Sequence, residues 1–116
     1  MKVSRVMAEK QSPFACDMAA IATEHRDAHL AMIADLFGAV EEVRELSDGY
    51  AFRLPNELLE KAAAFITRER LCCPFFGFTL QVEREGGAVW LSLTGREGAK
   101  QFIMAEIGDH LLDSIR

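Results

Sequence analysis

Arg68-Glu69-Arg70-Leu71-Cys72-Cys73-Pro74-Phe75-Phe76-Gly77-Phe78 is the stretch that decides how this chain folds, because it holds two of the three cysteines, three of the eight phenylalanines and a forced break. Proline disfavours the helical region for the residue before it and has no N–H to donate. A helix arriving from the left is therefore expected to close at Cys73, and a strand to open at Phe75. Two adjacent thiols then stand where helix meets sheet.

Upstream, Pro55 or Asn56 begins that helix, since proline in the first turn forgoes a hydrogen bond that had no partner. At about 100° per residue, Leu58, Leu59, Ala62, Phe65, Ile66 and Cys73 share one arc, and Glu57, Glu60, Lys61 and Arg68 lie outside it. Cys72 falls at the arc's edge and reads as the more exposed thiol. Glu69 falls inside the arc, and such a break in the binary pattern marks a functional or strained place. Downstream, Gly86-Gly87 as a two-residue loop sets Val82 opposite Leu91 and Leu80 opposite Leu93 on the core side, with Gln81 meeting Ser92 and Glu83 meeting Trp90 outside. A last helix follows Thr94-Gly95-Arg96-Glu97 with the stripe Phe102, Ile103, Ile107 and Leu111.

In the first half of the chain, Thr23 caps a helix that runs to Phe37, with His29, Leu30, Ile33, Leu36 and Phe37 on one face and Gly38 as its stop. Tyr50, Phe52 and Leu54 alternate after an Asp48-Gly49 turn, which indicates a hairpin. A two-residue loop would set Glu45 opposite Phe52, and a three-residue loop Leu46 opposite Tyr50; burial favours the second. Residues 1–12 read as a polar tail. Residues 13–21 lack periodicity and are expected to lie on the core as an irregular segment carrying Cys16. The order helix, hairpin, helix, hairpin, helix over residues 13–116 specifies a single α+β domain, a four-stranded antiparallel sheet covered on one face by helices. Trp90 leaves the other face partly apolar, which would suit a homodimer packed sheet to sheet.

Composition narrows the function. The 116 residues carry a net charge of −5, so no basic stripe is available to displace counterions from a nucleic acid. No apolar run approaches the ~18 residues of a membrane span, and the start lacks a signal-peptide core, so the expected setting is cytoplasmic. Three cysteines are too few, and odd in number, for a disulfide framework. The expectation is free thiols.

Those thiols are the candidate chemistry. Cys72-Cys73 is not the Cys-x-x-Cys spacing of zinc or thioredoxin-like sites. If the segment carrying Cys16 crosses the end of the second helix near Cys73, however, the thiolates converge on a donor set for Cu(I), Hg(II) or As(III), or for Zn(II) with a fourth ligand. Glu69, one turn from Cys73, is then a hard ligand or a proton acceptor, with Asp17 and Arg70 as supporting charges. His25 and His29 stand four apart, but Arg26 occupies the glutamate position of His-Glu-x-x-His, and His29 reads as packed at the core edge. No motif for an organic cofactor is present.

The run Glu69-Arg70-Leu71-Cys72-Cys73-Pro74-Phe75, with Phe78-Thr79-Leu80, Gly86-Gly87, Trp90-Leu91-Ser92-Leu93-Thr94-Gly95 and the upstream Cys16, resembles a group of small, largely uncharacterised bacterial proteins loosely associated with metal-responsive regulators. The likeness extends from about Cys16 to Phe102. It brings no reaction with it and implies only that Glu69, Cys72, Cys73 and Cys16 are the positions to inspect. Three functions follow as expectations: a thiol protein that binds or senses a soft metal or metalloid, or takes another small thiol-reactive ligand; a thiol-dependent enzyme of organometal-lyase or redox type; or an interaction module with structural cysteines.

Overall fold

The computed structural model describes residues 13–114; the expected tail, residues 1–12, lies outside them. Among the described residues the fold is α+β, with three α-helices and one four-stranded antiparallel sheet. Helix α1 spans Thr23–Gly38, strands β1 and β2 span Glu42–Leu46 and Gly49–Leu54, and a short 3-10 turn at Asn56–Leu58 leads into α2 at Leu59–Cys72. Strands β3 and β4 span Gly77–Val82 and Val89–Thr94, and α3 spans Ala99–Ser114. The strand order is β1-β2-β4-β3, so β2 and β4 are central.

Period-2 alternation puts Phe52, Leu54, Val89, Leu91 and Leu93 on the face that meets Leu36 and Phe37 of α1, Phe65 of α2 and Ile103 of α3 in one apolar cluster. Phe37 meets Phe52 and Phe65 edge to face at 5.2 and 5.4 Å, the geometry that opposes ring quadrupoles favourably.

The β3-β4 hairpin keeps the expected faces with a register two residues away, whereas β1-β2 slips by one residue from the favoured pairing, so that Glu45 rather than Leu46 opposes Tyr50 and the faces of β1 are exchanged. In β3-β4 the pairs are Val82 with Val89, Leu80 with Leu91 and Gln81 with Trp90, two residues from the expected pairing. The turn is Glu85-Gly86, with φ of 61° and 72°, closed by Gly87 N–H donating to Arg84 O at 3.1 Å. A type I′ turn needs two positive φ angles, and here a glutamate supplies one of them. Val82 lies on the core side yet is 52% exposed, as the last residue of the edge strand β3.

In β1-β2 the loop is Ser47-Asp48, which pairs Leu46 with Gly49, Glu45 with Tyr50 and Val43 with Phe52. Gly49 belongs to the strand: a Cβ there would stand 1.9 Å from the Leu93 carbonyl oxygen, so its absence lets β2 approach β4. Glu45, turned to the core side at the edge, is matched by the Lys100 ammonium. On the outer face, the Arg44 guanidinium lies 4.2 Å from the Trp90 ring centroid and covers the aromatic group that had suggested a dimer contact.

The helix phases also differ in detail. Leu30 is 54% exposed, leaving His29, Leu36 and Phe37 as the buried positions of α1. Along α2 the buried positions are Ala62, Phe65, Glu69 and Cys72, a 3-4-3 spacing that puts Cys72 at the centre of the stripe rather than at its edge. Cys73 caps the helix with non-helical φ and ψ of −129° and 68°, as Pro74 requires, and turns inward all the same. The strand opens at Gly77, later than expected, because Pro74 and Phe75 form a turn closed by Phe76 N–H donating to Cys73 O at 3.3 Å.

Candidate thiol and carboxylate site

The irregular segment reaches the end of α2 through its backbone. Asp17 N–H donates to Cys72 O at 2.9 Å, meeting one of the carbonyls that a helix C-terminus leaves unpaired. The Asp17 carboxylate accepts from Ala19 N–H at 3.1 Å and starts the 3-10 turn Met18–Ala20. Arg26 Nε–H reaches back from α1 to the Met18 and Ile21 carbonyls, each at 3.0 Å. Phe14 packs edge-on to Phe75 and stacks on Phe102. These contacts fix Cys16 against the helix end, as expected.

Cys16 and Cys73 stand 5.1 Å apart between Cα atoms with their sulfurs at disulfide-bonding separation, within the range a disulfide spans. This corrects the expectation of three free thiols: three cysteines make no framework, but one pair plus one thiol is a coherent arrangement. Cys72 is the free cysteine. It is buried, 1% exposed, against the expectation that it would be the accessible thiol. Its sulfur lies 3.6 Å from Cys73 Sγ, from Glu69 Oε1 and from the Glu69 carbonyl. One ligand atom from each of Cys16, Glu69, Cys72 and Cys73 falls within 4.8 Å of the others, with Cys16 the most exposed of the four.

Two carboxylates flank the sulfurs. Glu69 is 7% exposed, and its Oε1 is 2.8 Å from Nε2 of the fully buried His29; with the proton on Nε2, the ring N–H donates to the carboxylate. The imidazole stacks on Phe65 at 5.8 Å, and its Nδ1 is buried without a hydrogen-bond partner among the described residues. From α3, Glu106 Oε1 lies 2.7 Å from Cys16 Sγ. Burial, and then the negative charge of Glu69, hold the Glu106 carboxyl above the usual carboxylate range. In the reduced chain the Cys16 thiol donates to the Glu106 carboxylate. Burial also pushes the Cys72 thiol up to about 12, reinforced by the Glu69 charge and hydrogen bond. An empty site therefore keeps Cys72 protonated. A cation among the sulfurs reverses that balance, since it compensates the thiolate charge that burial and the carboxylates oppose.

Beside Cys16 opens a cavity of about 160 Å³, walled by side chains such as Leu30, Ile33, Phe65, Ile103 and Ile107, with Glu69 and Glu106 on its lining.

Of the positions singled out in the sequence, Cys16, Cys72, Cys73 and Glu69 are thus brought together. Asp17 and Arg70 are not: the Asp17 carboxylate is used as a cap, and the exposed Arg70 borders a separate groove beside Pro74 and Phe78. His25 is exposed, so the His25 and His29 pair does not share a ligand geometry; His29 serves Glu69. Glu106 was overlooked. It sits three residues past Ile103, on the flank of the α3 stripe, and so interrupts an apolar face much as Glu69 does. Comparison with protein-family models, with curated proteins and with solved structures returns no match.

Proposed function

We propose that the reduced protein binds a soft metal or metalloid ion through Cys16, Cys72 and Cys73, with Glu69 behind them. The observation that carries this reading is the convergence of three sulfurs and a carboxylate oxygen within 4.8 Å on two chain segments. Thiolate sulfur selects Cu(I), Hg(II) and As(III) over harder ions, and Zn(II) fits if Glu69 completes a fourth position. The charge distribution agrees, because the Cys16 and Cys72 sulfurs are hydrogen-bonded to the carboxylates of Glu106 and Glu69, which favour a cation and oppose free thiolates.

Cys16 and Cys73 cannot be bonded to each other and to an ion at once. Binding therefore follows a two-electron reduction by a cellular thiol or dithiol, in which the S–S bond is replaced by two S–H groups. For arsenite the exchange is As(OH)3 plus three thiols giving a trithiolate and three waters, with arsenic unchanged in oxidation state. A reducing, cytoplasmic setting supports such a site, and the net charge of −5 supports a function without nucleic acid.

The test is titration of reduced protein with arsenite and Cu(I), followed by sulfur-to-metal charge-transfer absorption. Cys16→Ser and Cys73→Ser are each expected to weaken binding more than about a hundredfold, beyond the 10–100-fold typical of residues that only orient ligands. Cys72→Ser is expected to have the smaller effect. Unchanged titrations in the first two variants reject the reading.

The position of Glu106 favours a second reading, an enzyme that breaks a carbon–metal bond. Two thiolates would hold the metal while Glu106 donates its proton to the departing carbon, which keeps the bonding electron pair. Release of hydrocarbon from an organomercurial by wild-type protein but not by Glu106→Gln would support it; capture of the organomercurial without release would leave binding alone.

A further inference from the structure

The cavity beside Cys16 is apolar, whereas a site for a bare ion needs only ligand atoms and a path for water. Its volume of about 160 Å³ is close to the roughly 150 Å³ of an engineered apolar cavity that stays dry and takes up benzene. One wall is Leu30, a large aliphatic side chain left 54% exposed on α1 although it borders the cavity. An exposed leucine alone needs no explanation. Set at the rim of an apolar hole that leads to a sulfur, it is what a ligand with a hydrocarbon arm would cover. The polar groups on the lining are Cys16, Glu69 and Glu106, at one place in an otherwise aliphatic and aromatic wall, the pattern of a small-molecule pocket with a few convergent polar groups.

We infer that the ligand of this site is a monosubstituted organic metal or metalloid, an aryl or short-alkyl As(III) or Hg(II) species, whose metal centre is held by Cys16 and Cys73 and whose hydrocarbon group fills the cavity. The inference rests on the thiol-binding reading above. For a phenylarsenical the chemistry is an exchange: hydrated phenylarsine oxide, with two hydroxyls on arsenic, reacts with the two thiols, two As–S bonds form, two As–O bonds break and two waters leave. Arsenic stays trivalent and the carbon–arsenic bond is untouched. Cys16 lines the cavity directly and Cys73 is its 5.1 Å Cα neighbour, so both bonds form at the end of the pocket and the ring points into it.

The test compares phenylarsine oxide with arsenite on the reduced full chain carrying Cys72→Ser, in which both compounds meet the same two thiols, each affinity expressed relative to that for a soluble dithiol so that intrinsic differences in As–S bonding cancel. Burying a phenyl ring is expected to favour the aryl compound by on the order of tenfold to a hundredfold beyond the dithiol ratio. Leu30→Trp, at an exposed position that folding tolerates, fills the mouth and is expected to abolish that preference while arsenite binding is kept. Ring protons of the bound compound are expected to show nuclear Overhauser contacts to the methyl groups of Ile33 and Ile107. Equal normalised affinities, or a preference untouched by Leu30→Trp, overturn the inference while leaving the ion site standing. Failure of both compounds to bind overturns the ion site and the inference together.

Discussion

Helix α2 runs one buried stripe from Ala62 and Phe65 to Glu69 and Cys72, and its two halves solve burial in opposite ways. The first half contributes only hydrocarbon, Ala62 and a Phe65 ring that meets Phe37, Phe78 and the face of the His29 imidazole, so close packing is sufficient and no hydrogen-bond partner has to be found. The second half buries a carboxylate and a thiol, and each needs specific company: His29 for Glu69, and Glu69 with Cys73 for Cys72. An apolar stripe would have been simpler to stabilise, since a buried polar pair rarely outperforms well-packed hydrocarbon. The contrast therefore argues that the second half answers to something other than stability.

Breaking the contrast at its covalent point has the largest expected effect. A bond between Cys16 and Cys73 closes a loop with a sequence separation of 57, and the chain-entropy model gives such a bond about 4 kcal/mol. Denaturant unfolding with and without a dithiol reductant is expected to differ by up to that amount. Coincident curves, with thiol counting unchanged at three free groups, would mean that the pair stays reduced.

The hydrogen-bonded imidazole and carboxylate come next. His29→Leu leaves the Glu69 carboxylate buried beside Cys72 without its imidazole, and a loss of roughly 3 kcal/mol is expected. Adding Glu69→Leu continues the hydrocarbon stripe and is expected to restore most of the loss, so the double-mutant cycle gives a large coupling. Additive losses would show that Glu69 finds its partner elsewhere.

A third test separates packing from turn chemistry. Gly49→Ala places a methyl against the Leu93 carbonyl and is expected to cost about 2 kcal/mol, whereas Gly38→Ala, with nothing within 4 Å of its Cβ, is expected to change stability little. Thermal unfolding of the two variants decides whether Gly49 is needed for strand approach.

Gly49 also shows where sequence reading stopped. Alternation in Tyr50, Phe52 and Leu54 assigns faces, yet it cannot see a slip of two residues, because a period of two repeats itself. The β3-β4 hairpin accordingly keeps its faces and misses its pairings, whereas β1 slips by one residue from the pairing that burial favoured and turns Glu45 rather than Leu46 to the core side. Reading Asp48-Gly49 as a turn was a matter of chemistry that the close approach of β4 overrode, and Glu85 took a positive φ that composition would assign to glycine. In the site, the misplaced Glu69 was legible as a break in pattern, and the lack of periodicity before Ile21 pointed to a segment that must rest on something. What the helical wheel could not give was the burial of Cys72, which it set at the edge of the apolar arc, or the reach of Glu106 from a third element. Both depend on how segments distant in sequence meet.

The smallest expected effect bears on Cys72, where the two halves of the stripe join. Its thiol has an ordinary value of 9.0 and is pushed up to about 12 by burial and by Glu69, so between those values the folded chain holds a proton that the unfolded chain releases. The unfolded state then binds fewer protons, and stability falls as pH rises. The contribution is fully present below about pH 9 and is lost progressively up to about 12, at roughly 1.4 kcal/mol per pH unit within the window. Measurement at pH 8 and pH 10 on oxidised protein, in which Cys16 and Cys73 do not titrate, is expected to show about 1 kcal/mol of loss attributable to Cys72. Cys72→Ala supplies the reference, because lysines and tyrosine titrate in both proteins and cancel in the difference. A Cys72→Ala chain that loses as much stability as wild type over this interval would mean that the thiol is not held protonated by its surroundings, and the electrostatic reason for expecting a cation among the sulfurs would go with it.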